Sequence, residues 1–293
     1  MRVWKVFAIM QQKEVIEMKA DCHMHMILDG LDWKMAIDRH KNGPDLAFIR
    51  KTLATYQKLG YTYLRDGGDR WGAGAKAREL APEYGIAYRT PLANLCKAGH
   101  YGVFIGEKYE NFKEYAALVK QHRENGADFI KIMISGLMDF NQFGVLTEEG
   151  LPKEEIWELI HIAHEEGFAV MAHANGARTV QAAAEAGLDS VEHGAYLDRE
   201  ALAAMEENGT VWVPTVSTIG NLRGKGRFRE DAVAKIFESA MENLASYKGF
   251  VASGSDAGAW AVEHGCETEE NYLLQVCTRE RLAAGLEKIK EKF

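Results

Sequence analysis

Hydrophobic positions along this chain follow two alternating rhythms. Stretches with apolar residues three to four apart give way, after a glycine, to short and nearly unbroken apolar runs. Residues 45–59 show the first rhythm: Leu46, Ile49, Leu53 and Tyr56 predict one amphipathic helix. Gly60, Gly85, Gly126, Gly167, Gly187, Gly209 and Gly249 then stand where helices should stop. The runs that follow, 61–64, 86–92, 128–134, 168–172, 188–191, 210–213 and 250–252, read as buried parallel strands. With the strand leading into His23 the pattern gives eight strands, each followed by a helical stretch. The second helix, about 73–84, carries Pro82 near its end, and the last covers 269–290. No linker or shift of composition divides the chain. The expectation is an α/β fold, one (β/α)8 TIM barrel domain over residues 1–293, rather than an open doubly wound sheet.

Barrel enzymes carry their chemistry at the C-terminal ends of the strands, so polar residues interrupting those ends deserve reading in order. The first strand ends in A-D-C-H-M-H-M-I, where strand alternation puts His23 and His25 on one face. Neutral imidazoles so placed can share a divalent cation. The fifth strand ends M-A-H-A-N-G with His173, and the sixth V-E-H-G with His193. The eighth ends A-S-G-S-D-A-G with Asp256, which can equally hold a turn. The fourth reads D-F-I-K-I-M-I-S-G. Its parity sets Ile130, Ile132 and Ile134 on the helix-covered face and turns Lys131 inward. A bare ammonium there carries a severe desolvation penalty. It must pair with Asp66 or Glu192, or lose its proton; a neutral amine can add CO2 to become a bidentate anionic ligand. Four imidazoles, one such carbamate and one carboxylate suit two divalent ions better than one.

Composition narrows the partners. The net charge of −8 and the absence of a basic stripe argue against nucleic acid and anionic membrane. No segment approaches the ~20 apolar residues that span a bilayer. Cys22, Cys96, Cys266 and Cys277 have no C-x-x-C spacing, as expected for reduced thiols in a cytoplasmic protein. Residues 1–10 lack the apolar run and cleavage site of a signal peptide. His161 and His164 on an outer helix face, with His40, His122 and His264, read as surface residues.

The ordered set H-x-H, K, H, H, D resembles the amidohydrolase superfamily of metal-dependent hydrolases, over most of the chain from His23 to about His264. The strings G-Y-T-Y-L-R-D-G-G, I-K-I-M-I-S-G, A-H-A-N-G, V-E-H-G-A-Y-L, V-P-T and G-S-D-A-G are similar to the imidazolonepropionase-like and Xaa-Pro dipeptidase-like branch. The resemblance implies that His23, His25 and Asp256 hold one metal and His173 and His193 the other, with carboxylated Lys131 as the bridge. Zinc is the expected metal. Relatives in that branch usually carry a β-sandwich. Here at most a vestigial one is expected, a strand or two at 3–10 and 14–18. Subunit number stays open, a homo-oligomer included.

The chemistry expected is hydrolysis of an amide or other C–N bond in a small substrate, by a hydroxide bridging two cations. Asp256 would serve as general base and then acid. His100, in K-A-G-H-Y-G after the third strand, is a candidate electrophile or substrate donor. The loop S-T-I-G-N-L-R-G-K-G-R-F-R-E supplies Arg223, Lys225, Arg227 and Arg229, and Arg223 and Arg227 with Tyr196 are candidates to bind a substrate carboxylate. An N-acyl amino acid, a dipeptide or a cyclic amide would fit. Two other classes stay open: an isomerase or decarboxylase on the same scaffold, and a metal-binding protein without turnover.

Overall fold

The computed structural model describes residues 19–293. The strands expected at 3–10 and 14–18, and the segment 1–10, lie outside them. The architecture is mixed α/β with parallel sheets. In chain order it runs β1 (Lys19–Met24), α1 (Trp33–His40), α2 (Leu46–Lys58), β2 (Tyr61–Asp66), α3 (Ala73–Leu80), β3 (Ala87–Arg89), β4 (Asn94–Lys97) and β5 (Glu107–Tyr109). Then come α4 (Phe112–Glu124), β6 (Ile130–Met133), α5 (Lys153–Glu165), β7 (Val170–Ala174), α6 (Ala177–Glu185), β8 (Ser190–His193), α7 (Arg199–Asn208) and β9 (Val211–Val213). The last helices are α8 (Ser217–Gly220), α9 (Glu230–Ser246), α10 (Thr268–Leu273) and α11 (Arg279–Lys292).

Strands β1-β2-β3 form one sheet and β5-β4-β6-β7-β8-β9 another, all pairs parallel. The expected third strand, 86–92, is formed only over Ala87–Arg89, and β4 follows in the other sheet. Pro91 has no N–H to give, and Leu92 takes a left-handed φ of 67°, so the ladder of β3 stops before β4 begins. The expected eighth strand is present only as an extended segment. Trp212 N donates to Phe250 O (2.9 Å) and Ala252 N to Trp212 O (3.0 Å), while Cys22 N donates to Ser253 O (2.9 Å). Residues 250–253 therefore touch both β9 and β1, the outer strands of the two sheets.

Local chemistry explains the helices. Asp45 caps α2 by accepting from Ala47 N and Phe48 N, and Ile49, Leu53 and Tyr56 bury the predicted face. Asp32 does the same for α1, which the sequence pattern did not separate from the loop before α2. Pro82 ends α3 in a 3-10 turn, Ala81–Tyr84. The expected helix over 269–290 is two helices, α10 and α11. Gly249 does not end a helix in a left-handed turn; α9 stops at Ser246 because Tyr247 is extended. The isoleucines of β6 pack into the main core with Leu159 and Ile160 of α5, as strand parity requires. No helix among the described residues is long and apolar enough to cross a membrane.

Helix α11 approaches the 250–253 segment closely. A Cβ on Gly285 would lie 1.9 Å from Val251 O, where only glycine fits. Gly285→Ala should therefore lower stability by about 1–3 kcal/mol, the usual cost of overpacking, read as a lower denaturant midpoint at unchanged slope.

Candidate metal centre

Six ligand-type residues meet at the C-terminal ends of the strands. His23 closes the inner face of β1, and His25 follows one residue past its end. Lys131 stands in β6, His173 in β7 opposite Glu192, and His193 ends β8. Asp256 lies past the extended segment, where its N–H donates to His23 O (2.6 Å). One ligand atom each from His23, His25 and Asp256 falls within a 4.8 Å group. His23 Nε2 lies 3.3 Å from His25 Nε2 and 3.5 Å from Asp256 Oδ1, and His25 Nε2 is 3.4 Å from the same oxygen. On the other side the His173 and His193 rings are 4.5 Å apart, and His193 is 5.1 Å from His23.

In three of these imidazoles the remote nitrogen is already engaged. His23 Nδ1 meets Glu192 Oε2 at 2.6 Å, His173 Nε2 meets Gly136 O at 3.1 Å, and His193 Nδ1 meets Thr215 Oγ1 at 2.7 Å. Such contacts fix ring orientation and leave the other nitrogen free to donate to a metal. His25 is oriented by steric contact instead. Its ring lies against Gly67, where a Cβ would sit 2.1 Å from Cε1. Lys131 Nζ and His25 Nδ1 are buried with no hydrogen-bond partner. Neither Asp66 nor Glu192 pairs with Lys131; Glu192 is taken by Arg65, Ser190 and His23.

Burial sets the protonation. It pushes the imidazoles of His25 and His173 down to about 3, and those of His23 and His193 well below their ordinary value, with Lys131 adding to each shift. All four are therefore neutral at neutral pH, the form that ligates metal. Desolvation lowers the Lys131 amine to about 8, so part of it is unprotonated near neutrality.

The ligand set lines a cavity of about 590 Å3 whose other walls are mainly apolar: Trp33, Tyr101, Phe104, Phe140, Phe228 and Trp260 among them. Of the residues expected to touch substrate, only Arg227 lines it, with its guanidinium 4.0 Å above the Trp260 ring. Arg223 stacks on Phe237 at 4.9 Å, and Arg229 pairs with Asp231 (2.6 Å). Tyr196 packs edge-on against Phe143, outside the lining. His100 also stays outside, 3.6 Å from Glu148; its neighbour Tyr101 enters instead and stacks on His173 at 4.8 Å. Two histidines expected at the surface are buried. His40 accepts from Asp45 N at the turn into α2, and His122 pairs with Glu107.

No family model matches the chain. The ochratoxinase of Aspergillus niger is 26% identical to it over 274 residues, covering 80% of this chain and 55% of that protein. The chain spans about half the length of the curated relatives it matches. Among solved structures, a Xaa-Pro dipeptidase with bound methionine superposes with a TM-score of 0.73 at 21% identity, over 93% of this chain and 75% of the other. The A. niger ochratoxinase structure gives 0.71 at 22%, over 93% and 69%. The fold and the sequence relative point the same way as the strand-end residues. The chain is similar in sequence to the ochratoxinase and shares the fold of these solved structures.

Several residues that shape this site escaped the sequence pattern. Arg65 had a readable signal, because a charge alternating with Tyr61 and Tyr63 must face inward, as Lys131 does. Glu192 stood out only as a partner for Lys131; its contacts with Arg65 and His23 gave no signal. Gly67 and Tyr101 gave none, since their roles depend on contacts with His25 and His173 across the chain. Gly67→Ala tests the steric role directly. Its methyl must displace the His25 ring, so divalent-ion uptake measured by elemental analysis should fall while far-UV circular dichroism stays unchanged.

Proposed function

We propose that the chain is a metal-dependent hydrolase of an amide or other C–N bond in a small, carboxylate-bearing substrate. One observation carries this reading: four neutral imidazoles, an orphaned buried lysine and one carboxylate converge on the buried end of an apolar cavity. The donor set fits two divalent ions, most simply zinc, with His23, His25 and Asp256 on one and His173 and His193 on the other. Carboxylated, Lys131 would add an anionic ligand for both ions; its unpartnered Nζ supports this, because two close cations would repel unless an anion offset their charge. The two sheets are arcs of one (β/α)8 barrel, a reading supported by the bonds of 250–253 to both β9 and β1.

Bound there, divalent ions polarise a carbonyl and lower the pKa of a water. The protein's own part is to bind, orient and move a proton. Asp256, with its Oδ1 3.5 Å from His23 Nε2 and 3.4 Å from His25 Nε2, would accept a proton and return it to a leaving nitrogen. The aromatic walls exclude water and take up the apolar part of the substrate. Arg227, braced on Trp260 and lining the cavity, would meet a substrate carboxylate.

Metal content tests the reading first. Protein purified without chelator should approach two divalent ions per chain, and a value fixed at one after excess metal and bicarbonate would contradict it. Lys131→Ala should lose metal and activity together while remaining folded, with partial rescue by a small carboxylic acid. For substrates found by screening N-acyl amino acids and dipeptides for released amine, Arg227→Met should raise KM more than it lowers kcat. Arg229→Ala should leave both unchanged. Equal turnover of free acids and their amides would remove Arg227 from substrate recognition.

A further inference from the structure

Beneath the imidazoles, a fully buried set of polar groups reaches from one sheet to the other. Arg65 comes from β2, and Ser190 and Glu192 from β8; all three are 0% exposed. Every guanidinium nitrogen is used. Nε donates to Cys22 O (2.7 Å), Nη1 to Ser190 Oγ (3.0 Å) and Nη2 to Glu192 Oε1 (2.8 Å). With its oxygen accepting from Arg65, the Ser190 hydroxyl sends its own proton to Glu192 Oε1 at 2.6 Å. Oε1 thus has two donors, and Oε2 is left to His23 Nδ1 at 2.6 Å.

The polarity of that last contact follows from the rest. Paired with the guanidinium and taking donors from Arg65 and Ser190, the Glu192 carboxylate acts as an acceptor. His23 Nδ1 must then carry the proton, which leaves the lone pair on Nε2. That is the nitrogen facing His25 and Asp256. We infer that Arg65 and Glu192 are positioning residues: Arg65 fixes Glu192 as an acceptor, and Glu192 fixes His23 in the tautomer whose Nε2 donates to a metal. The inference deepens the reading of His23 as a ligand and rests on it, but the tautomer can be read without any metal.

Two measurements on the full chain test it. Long-range proton–nitrogen correlation spectra of the metal-free, 15N-histidine-labelled protein should show His23 protonated at Nδ1 and bare at Nε2. Protonation at Nε2 would overturn the relay. Glu192→Gln alone leaves Arg65 as an uncompensated buried charge and risks misfolding. The paired variant Arg65→Met with Glu192→Leu removes both charges and takes the acceptor away from His23 Nδ1. In that variant the His23 proton should no longer be confined to Nδ1, and zinc affinity by chelator competition should fall about 10- to 100-fold while circular dichroism is retained. A folded paired variant with wild-type tautomer and zinc affinity would overturn the proposal. A wild-type protein that takes up no divalent ion would count against the two-metal reading instead, and the metal-free spectrum would still decide the relay.

Discussion

Satisfying the Glu192 carboxylate with no solvent contact is the constraint on which this site depends. An isolated buried carboxylate is not tolerated; it needs a counter-charge and hydrogen bonds to both oxygens. Arg65 supplies the charge from the three-stranded sheet, while Glu192 belongs to the six-stranded one. The pair that neutralises the charge therefore also ties the two sheets together at a fixed height. That height sets where His23 stands relative to His173 and His193. Removing one partner of such a pair costs about 3–5 kcal/mol, since the survivor is left buried and uncompensated.

Above that pair, ligand positions are purchased with backbone strain. His193, Thr215 and Asp256 all take left-handed φ, at 71°, 48° and 57°. Non-glycine residues in that region each cost about 1–3 kcal/mol and persist only where surrounding contacts over-determine them. Here the contacts are visible. Trp212 Nε1 donates to His193 O (3.0 Å), Thr215 Oγ1 meets His193 Nδ1, and Asp256 N donates to His23 O. The site and the fold are thus coupled through the same few hydrogen bonds.

What the sequence made legible was whatever depends on short periods. Period two placed Lys131 opposite the isoleucines, and the helical period located α2 with its buried face. The order of strand ends brought the H-x-H pair, the lysine, two histidines and Asp256 into one reading. What stayed hidden depends on contacts distant in the chain. The run 86–92 looked like one strand because Pro91 and Leu92 reveal their break only against neighbouring strands. His100 and Tyr101 are adjacent, and only the loop's path decides which reaches the cavity. The basic loop after β9 likewise offered four candidates, and aromatic stacking on Trp260 brings Arg227 to the cavity.

The central claim, that two cations sit between these strand ends with a carboxylated lysine between them, can be seen directly. Crystals grown with zinc and bicarbonate, measured at energies on either side of the zinc absorption edge, would give anomalous difference maps and electron density at Lys131. The account predicts two peaks a few ångströms apart, one against His23, His25 and Asp256 and the other against His173 and His193. Density on Lys131 should extend beyond Nζ by a planar carboxyl group reaching both. A single peak, or two peaks with an unmodified lysine, would contradict it.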